Sequence, residues 1–192
     1  MIYKFILCIF YLTILNGCIS NVLMPASNVA TVYDAYSISK DQRGIYSIAK
    51  DKLIQTKIQA KIFATKGLNS LDLEVESFYS NVYLIGLIES EKYRNTLINL
   101  AKNTSGVEKI YTYLRLKQKN YHCNNLAILT NLKKELFTDK KINATQIRVS
   151  VVGCDVVFSG IIESKKQEEY AIWYAKHIQS VKNVYSFLRL LN

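Results

Sequence analysis

The clearest stretch of alternation in the chain runs from Leu71 to Glu76. There Leu71, Leu73 and Val75 are apolar and Asp72, Glu74 and Glu76 acidic, which predicts a strand at 71–78 with one face buried. Upstream, Ile48, Leu53, Ile54, Ile58 and Ile62 recur at largely helical spacing and predict a helix over 45–65. Ser80-Asn81 fits a turn into a second strand at 82–88. Ser90 stands as an N-cap candidate, with Glu91 placing negative charge in the first turn of a helix that ends near Ser105-Gly106. Val107 to Leu116 then reads as a last strand.

The same pattern returns at a shift of 74 residues. Val82 to Leu116 lies over Val156 to Leu190 without a gap, with about 14 of 35 positions identical and most others exchanged like for like. Upstream, Leu73 and Val75 fall on Ile147 and Val149, and Phe63 falls on Phe137. The second copy places its elements at 124–137, 145–152, 155–162, 164–179 and 181–191. Each copy is thus helix, strand, strand, helix, strand. Three short strands cannot hide an apolar face alone, so the helices are expected to cover the sheet. The domain reading is 45–117 and 118–192, and mutual packing of the copies would make them one rigid body.

Composition adds direction. With 49% hydrophobic residues, a single proline and seven glycines, the chain has enough apolar surface to bury a core and is neither fibrous nor low in complexity. The first residues carry an export pattern: Lys4, an uncharged apolar run from Phe5 to Leu15, then Leu15-Asn16-Gly17-Cys18. Eleven helical residues reach about 16 Å, roughly half a bilayer core, so the run is too short to span. Leu-Asn-Gly-Cys resembles the lipobox of bacterial lipoproteins, with Asn16 unusual at its place; the other reading is an ordinary signal peptide with a chance cysteine. On the lipobox reading, residues 1–17 are a signal peptide, Cys18 carries covalent acyl chains, and 18–44 is a tether containing Pro25. Ile19, in place of the Asp that marks inner-membrane retention, points to the outer membrane by the same resemblance.

Formal net charge is +10, about +9 without the signal. That favours acidic partners, namely anionic headgroups or acidic proteins, with nucleic acid the weakest because an exported chain rarely meets it. Cys123 and Cys154 remain as an even pair in an oxidising compartment. They are read either as a disulfide tying a helix start to a hairpin tip or as two free thiols. No metal-ligand spacing accompanies them. His122 and His177 sit at different places in the repeat, and no triad, nucleophile elbow, phosphate loop or HExxH is present, so the chain does not read as an enzyme and calls for no cofactor. Glu168-Glu169 reads as a solvated helix face. Glu89-Ser90 and Glu163-Ser164 read as repeated capping turns.

Comparing the copies isolates one surface. Ala171, Tyr174, Ala175 and Ile178 overlie Leu97, Leu100, Ala101 and Thr104 and form the expected core face of the second helix. On roughly the opposite side, copy two carries Lys166, Tyr170, Trp173 and His177, where copy one has Lys92, Thr96, Asn99 and Asn103. Tyr and Trp beside cations suit a headgroup region. The stripe is therefore read as a lipid or partner contact, with packing of Trp173 against copy one as the alternative.

These features together resemble a known family. An apolar strand with Gly86, a following Glu-Ser, a helix with Ala101, then Gly106-Val107 and a closing apolar strand resemble the BON domain. The second copy keeps Gly160, Ala175 and Val181 but has Ser180 in place of the glycine. Asp41-Gln42-Arg43, with Asp51 beyond it, resembles the Asp-x-Arg segment before the first domain of the dual-BON outer-membrane lipoproteins of Gram-negative bacteria, although Gly44 replaces the usual hydroxyl residue. The resemblance covers about residues 34–191. It implies an α+β fold, an α/β sandwich of two tandem BON domains, each a three-stranded mixed sheet covered by two helices. It also implies a non-enzymatic, lipid-anchored protein on the periplasmic face of the outer membrane that binds anionic phospholipid and supports envelope integrity. The alternative role is an adaptor docking a division, secretion or outer-membrane assembly complex among the envelope proteins.

Overall fold

The computed structural model describes residues 43–118 and 120–191, all of which belong to one compact unit. The export segment, Cys18 and the tether up to residue 42 lie outside the described residues. The first domain runs α1 (Ile45–Ala64), a 3-10 turn (Ser70–Asp72), β1 (Leu73–Phe78), β2 (Asn81–Ile88), α2 (Glu91–Lys102) and β3 (Lys109–Leu116). The second runs α3 (Asn125–Thr138), a 3-10 turn (Ala144–Gln146), β4 (Ile147–Val152), β5 (Asp155–Ile162), α4 (Lys165–His177) and β6 (Asn183–Leu190). Both sheets place the middle strand of the sequence at the centre. β2 pairs antiparallel with β1 and parallel with β3, and β5 does the same with β4 and β6. A parallel pair needs a crossover, and α2 and α4 supply it.

One face of each sheet is roofed by its own helices. In the first domain Ile54, Ile58, Ile62, Leu97 and Ala101 close over Val75, Val82, Leu84, Ile88 and Leu114. In the second, Ile128, Leu132, Leu136, Ala171 and Ala175 close over Ile147, Val149, Val156, Phe158 and Leu188. The other faces meet each other. Phe78, Tyr83 and Ile85 of one sheet share a buried cluster with Val152, Val157 and Ile161 of the other. The result is four layers, helix–sheet–sheet–helix, with the helix pairs on opposite outer sides. Each of the buried Val, Leu, Ile and Phe side chains contributes roughly 1.5–3 kcal/mol relative to exposure.

Polar contacts fix the register of the two sheets. Asp155, 1% exposed, accepts from the Tyr113 hydroxyl (2.6 Å), from Asn183 Nδ2 (2.8 Å) and from the Arg115 guanidinium. Glu74 contacts Ser150 across the same gap. Tyr83 stacks on Tyr111 with centroids 5.1 Å apart, Phe187 lies 6.2 Å from Tyr83, and Tyr113 meets Tyr185 at 4.5 Å.

Glycine is required at one place in each sheet. A Cβ on Gly86 (φ +147°) would sit 2.0 Å from the Asp72 carbonyl oxygen, and one on Gly160 (φ +122°) would sit 2.1 Å from that of Gln146. In both cases the 3-10 turn crosses directly over the central strand.

Several sequence expectations shift. Leu71 is 83% exposed, because a 3-10 turn capped by Asn69 occupies the position where the alternation suggests a strand residue facing the core. The first hairpin turns at Tyr79 and Ser80, both left-handed at φ 48° and 64°, one residue earlier than Ser80-Asn81. Asn81 opens β2, and its amide donates back to the Phe78 and Tyr79 carbonyls. Ser90 and Ser164 hold the N-cap positions, but their hydroxyls make no capping hydrogen bond. Arg43, assigned to the tether by pattern, is 8% exposed in the first domain.

The two hairpin tips are tied to their first helices by different chemistry at equivalent positions. In the first domain, Asp51 on α1 accepts from Tyr79 N and Ser80 N (2.8 Å each) and Ser77 Oγ (2.7 Å). Arg43 Nη1 reaches the same carboxylate at 2.5 Å, and its guanidinium lies 4.7 Å from the Phe78 ring. In the second, Asn125 replaces Asp51, accepting from Cys154 N (3.2 Å) and donating to the Val151 carbonyl (3.3 Å). A Cys123–Cys154 disulfide, with Cα atoms 5.8 Å apart, stands where the Arg–Asp pair is missing.

Candidate functional surface

The surface singled out by the repeat comparison lies on α4. Its inward side carries Ala171 and Ala175, both fully buried, and Gln167. Small residues there let the helix lie close on the sheet, so its large side chains project sideways and outward. Tyr174 and Ile178 flank the core, and the Tyr174 hydroxyl donates to Asp139 (3.1 Å), which raises its pKa.

The four stripe residues do not behave alike. Lys166 and His177 are exposed, Trp173 is 54% exposed, and Tyr170 is half-buried against the second core. The Trp173 and His177 rings lie 4.1 Å apart, tilted by 35°, and Tyr174 meets Trp173 edge-on at 5.1 Å. His177 Nδ1 donates to the Trp173 carbonyl at 2.7 Å, which holds the imidazole against the indole. Lys141 Nζ lies 5.2 Å from the centre of the Tyr170 ring. Trp173 is outside the cluster between the sheets, so the contact between copies is made by strands and not by this helix.

Cations surround the stripe. Lys165 and Lys166 open α4, Lys141 stands beside Tyr170, and Lys176 and Lys182 line a shallow cleft of about 340 Å³ beside Val184 and Tyr185. Glu168, the acid nearest the start of the helix, is occupied by Ser186 Oγ (2.6 Å) and Lys165 Nζ (3.0 Å). Burial pushes its carboxyl up, but those two hydrogen bonds outweigh it and leave it below the usual range. The arrangement presents an exposed Trp–His ring pair on a helix that also carries Lys165, Lys166, Lys176 and the exposed Glu169. Among the described residues no cluster of three or more metal-ligating side chains occurs, and no helix is long and apolar enough to cross a membrane.

Mutual packing of the copies is expected from the repeat, but not through which faces, although the sequence holds a signal for them. Val82 to Ile88 is apolar at nearly every position, and such a run marks a strand covered on both faces. Asp155 was not anticipated either, because its partners Tyr113 and Arg115 come from the other domain.

The family model described as "BON domain" matches residues 50–118 and again 124–192. The outer membrane lipoprotein DolP of Haemophilus influenzae is 24% identical over 187 residues, covering 93% of this chain and 91% of that protein. The osmotically-inducible protein Y of Escherichia coli is 25% identical over 145 residues, 72% of each chain. An uncharacterized protein in the gshII 5′ region of Anaplasma centrale is 31% identical over 96 residues, and this chain spans 64% of its length. Among solved structures, the C-terminal domain of CdsD from Chlamydia trachomatis matches over 74% of this chain and 67% of its own at 13% identity and a TM-score of 0.31, and carries no functional weight.

Proposed function

Because this chain belongs to the BON domain family and carries two copies of the domain, we propose that it is a non-enzymatic, envelope-associated protein whose second domain binds anionic phospholipid surfaces. The observation that carries this reading is the exposed Trp173–His177 pair, set among Lys141, Lys165, Lys166 and Lys176 on a helix whose counterpart in the first domain is plainly polar. Indole and imidazole suit the interfacial zone, and each lysine near an anionic surface adds about 1 kcal/mol of attraction at low salt. The kinship with an outer membrane lipoprotein supports an envelope location.

The Cys18 motif supports acylation and attachment at the periplasmic face of the outer membrane, where the protein would help maintain the envelope. An anchor keeps the second domain at high effective concentration near lipid, so a weak headgroup contact suffices. Intact mass of the protein from membranes, with diacylglycerol and amide-linked acyl mass on a chain beginning at Cys18, tests the anchor.

Vesicle flotation tests the surface. With the protein prepared without acyl chains, phosphatidylglycerol-containing vesicles should carry it upward and phosphatidylcholine vesicles should not, with the difference shrinking as salt rises. Trp173→Glu should lower the floated fraction severalfold with an unchanged circular dichroism spectrum. Unaltered flotation of that variant would remove the stripe from the reading.

A further inference from the structure

The outward face of α1 has no role in the fold and none in the α4 surface. Its buried residues are Asp51, Ile54, Gln55, Ile58 and Ile62, so the turn and a half before Asp51 has no fully buried residue, Ile48 being half-buried. The equivalent helix of the second domain lacks that extension, because α3 begins at Asn125, the counterpart of Asp51. Yet the extension is apolar and open: Ile45 is 87% exposed and Tyr46 is 85% exposed. Tyr46 begins a stripe that continues through Ala49, Leu53, Thr56, Ala60 and Phe63, at steps of 3, 4, 3, 4 and 3 residues, every member exposed. That is the seam spacing of paired helices.

Large and small side chains are mixed along the stripe. Tyr46, Leu53 and Phe63 stand as knobs, while Ala49, Thr56 and Ala60 leave room for a partner's side chains. The Thr56 hydroxyl is turned inward, donating to the Lys52 carbonyl at 2.9 Å. Lys50 and Lys57 flank the seam on one side and Lys52 on the other, at the positions that select a partner by charge. The one acid on α1, Asp51, is buried. Lys50 reaches an exposed Glu108 only at 3.8 Å, a pair of little net worth.

We propose that this stripe docks an acidic amphipathic helix of a partner protein. A second copy of this chain would bring lysines against lysines. A bilayer asks for a broad apolar face, whereas this one is a single seam with three small residues in it. The face also lies on the outer layer opposite α4, so a protein resting on lipid through α4 leaves α1 free to take a partner.

The test is fluorescence anisotropy with the full-length chain in mild detergent and two labelled synthetic peptides of three heptads. Both have leucine at the seam positions; one has glutamate and the other lysine at the flanking positions. The glutamate peptide should bind and the lysine peptide should not. Leu53→Glu with Phe63→Glu should weaken binding at least tenfold without loss of helical signal. A triple charge reversal, Lys50→Glu, Lys52→Glu and Lys57→Glu, should invert the preference between peptides. Trp173→Glu should leave peptide binding intact, which separates this result from the vesicle assay. Failure of the glutamate peptide to bind, equal binding by both peptides, or indifference to the Leu53/Phe63 change overturns the proposal. So does loss of vesicle flotation, or of a concentration-dependent dimer, in that variant with peptide affinity unchanged.

Discussion

Replacing Asp51 by alanine removes the acceptor for four donors, the guanidinium of the buried Arg43 among them. Breaking a buried ion pair from one side costs about 3–5 kcal/mol, because the remaining charge stays desolvated. The amides of Tyr79 and Ser80 lose an acceptor as well, but Tyr79 is 43% exposed, so water replaces part of that loss. We therefore expect a total of about 4 kcal/mol, a large share of the 5–15 kcal/mol that a domain of ordinary stability has. In urea, with an m-value near 2 kcal/mol/M, the midpoint should fall by about 2 M. Arg43→Met in the Asp51→Ala background should recover at least about 1 kcal/mol, since it removes the buried charge that has lost the Asp51 carboxylate and keeps the apolar contact with Phe78. A loss under about 1 kcal/mol for Asp51→Ala, or strict additivity of the two changes, would refute the account of Asp51 as an ionic tie for the hairpin.

The second domain should respond to reductant where the first does not. The Cys123–Cys154 bond closes a loop of 31 residues, and the chain-entropy relation puts its loss at about 3.7 kcal/mol, visible as a lower urea midpoint in dithiothreitol and absent in a Cys123→Ser/Cys154→Ser variant. Ser180 sits at φ 72° where Gly106 fills the equivalent place, so Ser180→Gly should stabilise by about 0.5–1 kcal/mol; a destabilised variant would show that the hydroxyl has a partner of its own. Burial pushes the Tyr83 hydroxyl up to about 12, against a partly opposing pull from Arg189. The unfolded chain releases that proton near pH 10. The contribution is therefore complete below pH 10 and lost as pH rises through 12. Urea midpoints should drop more steeply between pH 9 and 11 for the wild type than for Tyr83→Phe, and parallel curves would contradict the assignment.

Local signals carried the fold a long way. Periodicity gave the ten elements and their order, with boundaries within about three residues, because both follow from which side chains face a core. The failures came where distant groups decide local shape. Neither Tyr nor Ser favours a left-handed turn, and Tyr79 and Ser80 adopt one because Asp51, far earlier in the chain, accepts both amides. Leu71 extends an alternating pattern, yet the chain has to cross over Gly86 there and does so in a 3-10 turn. For the α4 stripe, spacing alone separated Trp173 from the core face. It could not choose between lipid and the other domain, since that depends on which surfaces the two copies use against each other. The strands meet, and Trp173 stays outside that contact.

The contact between the sheets also sets a timing problem for the growing chain. The first domain has all its strands once residue 116 is made, but the side chains that cover Tyr83 and Ile85 arrive with β5, and Phe187 only with β6. For a chain that emerges N-terminus first, the 74 residues from the end of β3 to the end of β6 have still to follow. For that interval a nearly finished domain shows an aromatic sheet face to its surroundings. A chain cut short after the first domain would keep that face open, a contiguous apolar surface of the kind that favours self-association.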